Sequence, residues 1–115
     1  MMLPTVTGVP MDAKVLDNYL GALINLFFKI LPIKESGEES VDVYMRSLQI
    51  ELLGCKELIE ALHDDARFLT LLSILQYLID NPSSEIATVR REVFRAISVC
   101  NKLRRRYAEQ NGGAA

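Results

Sequence analysis

Residues 86–107 read IATVRREVFRAISVCNKLRRRY, and this run decides the fold. Ile86, Val89, Val93, Ala96, Cys100, Leu103 and Tyr107 recur at alternating intervals of three and four. That spacing places all seven on one side of an α-helix. The opposite side carries Arg91, Arg95, Lys102, Arg105 and Arg106. One side must bury, and the other is suited to something negative. A single amphipathic helix cannot bury its own stripe, so it requires helical partners.

The rest of the chain supplies three such partners. A helix over about 12–31 is expected to start at the N-cap Asp12 and stop at Pro32. Its polar residues Lys14, Asn18, Asn25 and Lys29 share one narrow arc with Gly21, and nearly everything else is apolar. An arc this wide exceeds the stripe of a surface helix. It must meet more than one neighbour, or part of it must serve an oligomer.

A second helix over 40–63 has the seam Val41, Tyr44, Met45, Leu48, Leu52, Cys55, Ile59 and Leu62. Ser36 with Glu39 has capping-box spacing, and Ser40 competes as the cap. Ser47, Gly54 and Ala61 are spaced by seven and share one side of this helix. Small residues there admit another helix closely. Gly54 costs about 1 kcal/mol against alanine in a helix interior, and close packing would explain it.

Asp64 and Asp65 mark a break and a fresh cap before a third helix over 65–80, which Asp80-Asn81-Pro82 ends. Ser83 or Ser84 is expected to cap the fourth helix over 84–108, ahead of Asn111-Gly112-Gly113. Residues 1–11 read as an extended arm, and 111–115 as a disordered tail. The expectation is an all-α, single-domain antiparallel four-helix bundle over 12–110, one that self-associates.

The totals agree with one globular domain. The chain has 115 residues, half of them hydrophobic and 24% charged. Its net charge of -2 conceals segregation: nine acids against two bases over 35–65, and three acids against seven bases over 85–110. Two cysteines do not make a disulfide framework. The apolar window 19–33 carries Asn25 and Lys29 and is shorter than the ~20 residues of a spanning helix. The expected setting is cytoplasmic, without a membrane.

The residues offer little for catalysis. There is no phosphate-cradling glycine loop and no nucleophile elbow. His63 is the lone histidine, beside Asp64, Asp65 and Glu60, and reads as a solvated helix end rather than a metal site. Cys55 and Cys100 lie on apolar seams and read as small hydrophobes. No cofactor, metal or catalytic group is expected.

Two kinds of contact remain. Assembly contacts are expected from Phe27 and Phe28 on the wide arc, from Gly54, and from Glu51, Arg90 and Arg104 at seam edges. An anionic partner would meet Arg91, Arg95, Lys102, Arg105 and Arg106, with Tyr107 beside them to stack on a base. A basic last turn is also what a helix C-terminus prefers for its dipole. The leading reading is a non-catalytic protein that binds itself or another protein. The alternative is a nucleic-acid-associated accessory factor, such as a regulator carried by a phage or mobile element.

Overall fold

A computed structural model describes residues 2–3, 11–36 and 38–112. The architecture is an all-α four-helix bundle. The first helical run is α1 (Ala13–Phe28) followed by α2 (Ile30–Ser36). The second is α3 (Glu38–Leu58) followed by the single turn α4 (Glu60–His63). The third is α5 (Ala66–Asp80), and the fourth is α6 (Ile86–Gly112). Ahead of them, β1 (Met2–Leu3) pairs antiparallel with β2 (Met11–Asp12) over two residues each. The expected arm over 1–11 thus includes a short ladder, and residues 4–10 lie outside the described residues, as do 113–115 of the expected tail.

The helix starts follow from capping chemistry. Asp12 has extended backbone angles and accepts the Lys14 N–H at 2.8 Å. Asp65 does the same for α5, accepting from Arg67 N–H at 2.9 Å and Phe68 N–H at 3.2 Å. The fourth helix begins later than expected. The Glu85 carbonyl accepts the first bond, from Val89 N–H, while the Ser84 hydroxyl donates back to the Asn81 carbonyl at 2.7 Å. The Ser36 hydroxyl likewise donates into its own helix, to the Pro32 carbonyl at 3.1 Å.

Two expected boundaries are corrected. Pro32 does not stop the first run. It lacks the N–H that would bond to the Phe28 carbonyl, so the break falls a turn earlier, at Lys29. Pro32 itself then sits in the first turn of α2, where a missing donor carries no penalty. The second run breaks at Ile59, whose φ of -105° and ψ of 110° are extended. Ala61 therefore belongs to α4 and leaves the register of Ser47 and Gly54.

The four runs alternate in direction. Asp17 meets Arg104 and Phe28 meets Phe94, so α1 and α6 are antiparallel. Asp65 meets Arg106, so α5 and α6 are antiparallel as well. Gln49 donates to Gln76 at 2.7 Å between α3 and α5. The ring closes where α2 packs on α3 and Tyr44 donates to the Leu26 carbonyl at 2.7 Å. Lys34 donates to the Pro82 carbonyl and ties α2 to the connection before α6.

One core runs through all four runs. Leu16, Leu20, Leu23, Phe27 and Ile30 point inward from the first, and Val89, Val93, Ala96, Cys100 and Leu103 from the fourth. Complete burial of such an aliphatic side chain stabilises by about 1.5–3 kcal/mol. Lys14–Ser36 is one helical stretch long and apolar enough to cross a membrane. In this fold it is broken at Lys29 and packs chiefly on α6 and α3.

Candidate assembly face and basic concavity

The core accounts for only part of the apolar surface. On α3, Val43 is 62% exposed, Ile50 70% and Leu53 44%. Val43, Ser47, Ile50 and Gly54 succeed one another at intervals of four, three and four, so they form a second seam on this helix. The first seam, through Val41, Met45, Leu48 and Leu52, is buried. The second faces outward.

Gly54 belongs to that outward seam, and no neighbour among the described residues explains it. A Cβ built there meets no atom within 4 Å. Among the described residues no helix approaches Gly54 as closely as its spacing led one to expect. Beside it lies an apolar groove of about 240 Å³ between α1 and α3, lined by Val15, Leu16, Tyr19, Glu51, Gly54, Cys55, Leu58 and Ile59. Val15 is itself 53% exposed at the groove. The Tyr19 hydroxyl is shielded from solvent and lies near Glu51, with no well-formed hydrogen bond among the described residues. Burial, with Cys55 and Glu51 nearby, pushes this phenol well above its ordinary range.

The other expected assembly residues divide. Phe27 is fully buried and belongs to the core. Phe28 is exposed and meets Phe94 edge-to-face, with ring centroids 5.6 Å apart. Arg104 serves the monomer: its guanidinium crosses α1 to Asp17 at 3.1 Å, passing over Gly21. A Cβ at Gly21 would lie 3.2 Å from that guanidinium, so this glycine makes room for the ion pair. Arg90 is exposed, and among the described residues no carboxylate lies within salt-bridge distance of it.

The outward cationic row is not one unit either. Arg91 and Arg95 hold Glu92, at 3.6 and 3.2 Å. Glu92 is a nearly buried carboxylate that the sequence pattern did not single out. Tyr107 is 2% exposed and packs in the core, so it offers no stacking face, which corrects its expected place beside the cations. Burial raises its phenol pKa. Lys102, Arg105 and Arg106 instead converge with Arg67 of α5 around a concavity of about 270 Å³. Arg67 is the residue that sequence reasoning missed. It stands 35 positions before Lys102, and only tertiary packing unites them.

One buried carboxylate organises this concavity. The Asp65 side chain is 1% exposed. Its Oδ1 caps the start of α5 beside Arg67, and its Oδ2 lies 3.2 Å from the Arg106 guanidinium. Asp65 thus fixes both walls through one side chain.

Neither cysteine is arranged for catalysis. Burial pushes the Cys100 thiol up to about 12, with Arg104 opposing. Burial, aided by Glu51, pushes Cys55 up to about 11. Both thiols are protonated near neutral pH, which is the unreactive form. His63 lies with Nε2 2.9 Å from the Glu57 carbonyl at the end of α4. Among the described residues no three His, Cys, Asp or Glu side chains converge as a metal site would require.

The fold and these surfaces define a class no finer than a small all-α bundle. No protein-family model matches the chain, and neither a curated protein nor a solved structure is significantly similar to it.

Proposed function

We propose that this chain is a non-catalytic assembly protein, and that its first partner is a second copy of itself. The observation that carries the reading is Gly54. It stands inside α3, where glycine costs about 1 kcal/mol against alanine, and no neighbour among the described residues uses the space it leaves. Exposed Ile50 and Val43 share its side of the helix.

The seam is complementary to itself. Two α3 helices placed antiparallel, with a two-fold axis passing between the levels of Leu48 and Gln49, bring Val43 level with the partner's Gly54. The same operation brings Ile50 level with the partner's Ser47. Each large side chain meets a small one, and symmetry makes each contact twice. Small residues every seventh position permit close approach of the axes, and the apolar pair fills what they leave. The groove beside Gly54 continues this apolar surface towards Val15 of α1.

The test is the mass of the full chain in solution at low and high salt. An apolar seam gives an oligomer that high salt leaves intact. A monomer at every concentration contradicts the reading.

A further inference from the structure

The basic concavity at the α5–α6 corner cannot be explained by the ordinary reason for cations late in a helix. That reason is the C-terminal dipole, whose effect fades beyond the last turn. α6 continues to Gly112, and its last turn contains no basic residue. Lys102, Arg105 and Arg106 lie before that turn, on one face at spacings of three and four. Arg67 joins them from another helix.

Convergence of four like charges is unfavourable unless something negative offsets it. Among the described side chains, Asp65 alone does so, and it contacts only Arg106 within salt-bridge distance. Arg67, Lys102 and Arg105 are exposed and have no described carboxylate at that distance. A neighbouring hollow, lined by Asp17, Asn101, Arg104 and Arg105, differs in this respect, because its Arg104 is already engaged by Asp17.

We infer that the concavity lined by Arg67, Lys102, Arg105 and Arg106 is a binding site for phosphate groups. Three guanidinium forks and one ammonium match the oxygens of a phosphate or of two linked phosphates. Buried Asp65 holds Arg106 in place, so part of the site is preorganised. With Tyr107 in the core, no aromatic ring among the described residues lines the concavity. The ligand is therefore gripped by its phosphates and not by a stacked base.

The test titrates the full-length protein with inorganic pyrophosphate, and separately with a mixed-sequence single-stranded DNA of about 12 nucleotides. The comparison is an R67A/R105A variant. Both residues are exposed, so circular dichroism and melting should match the parent. Loss of each arginine should weaken binding by roughly tenfold. For the oligonucleotide, two phosphate contacts give a log-affinity slope against log salt of about -1.4, shallower in the variant.

Pyrophosphate binding that the variant loses assigns the site to small phosphorylated ligands. Oligonucleotide binding alone, lost in the variant, assigns it to a nucleic-acid backbone. Binding of neither probe overturns the inference, and so does binding that the folded variant retains unchanged.

Discussion

Replacing Ile50 by lysine separates assembly from folding. Ile50 is 70% exposed, so the monomer has little to lose, and a surface change of this kind usually shifts stability by about 0.5 kcal/mol or less. Lysine is also a good helix former. In an α3–α3 pair the same side chain would be covered. Burying a whole isoleucine contributes about 1.5–3 kcal/mol, and the exposed share scales that to about 1–2 kcal/mol. A two-fold contact contains the residue twice, so the pair loses about 2–4 kcal/mol. That corresponds to roughly 30- to 700-fold weaker self-association. Sedimentation equilibrium over a concentration series reads the constant, and a melt of the dilute protein checks that the monomer is intact. A parent that dimerises, with an I50K variant dimerising within threefold of it, would refute the α3 seam as the interface. A variant that fails to fold would refute the claim that Ile50 lies outside the core.

Other positions test neighbouring parts of the account. Gly54→Ala should stabilise the isolated monomer by about 0.4–1 kcal/mol, seen as a rise of a few degrees in melting temperature, because the added Cβ meets open space. Gly54→Leu should leave the monomer folded yet abolish self-association in the same sedimentation assay. Asp65→Ala removes the α5 cap and leaves Arg106 without its carboxylate, and should cost about 1–2 kcal/mol by chemical denaturation, whereas Asp65→Asn keeps the cap acceptor and costs less. Alkaline stability follows from the thiols. Both have folded pKa values raised above the ordinary 9.0, so the folded state disfavours their ionised forms. The unfolded chain then binds fewer protons, and stability should be level below pH 9 and fall as the pH rises towards 11–12, a decline that Cys100→Ala reduces in pH-dependent melts.

Much of the bundle was legible because local signals and tertiary packing agree. The three-and-four spacing from Val89 to Tyr107 names six residues that are all buried. Asp12 and Asp65 were readable as caps because each precedes an apolar run and has a side chain short enough to reach the first free N–H groups. The break at Ile59 was not readable, since Leu58-Ile59-Glu60 contains no glycine, proline or capping residue. Pro32 was readable as a disturbance but not as the third residue of α2, because the break falls upstream at Lys29, which itself keeps helical backbone angles. Tyr107 illustrates a conflict between two signals: its seam position implied burial, its arginine neighbours implied a binding role, and the packing follows the seam. The pairing of Asp17 with Arg104 spans 87 positions, and Arg67 joins Lys102 across a helix junction, so neither was accessible to a pattern within one helix. Gly54 shows a different gap: its cost is visible in sequence, whereas the open space beside it among the described residues appears only in three dimensions.

The most direct measurement is the solution mass of the unmodified chain by light scattering, at micromolar concentration, in low salt and again in high salt. Self-association through the α3 seam gives twice the 12.9 kDa chain mass in both conditions. A mass of 12.9 kDa throughout, or a larger species that high salt dissolves, contradicts an apolar assembly face.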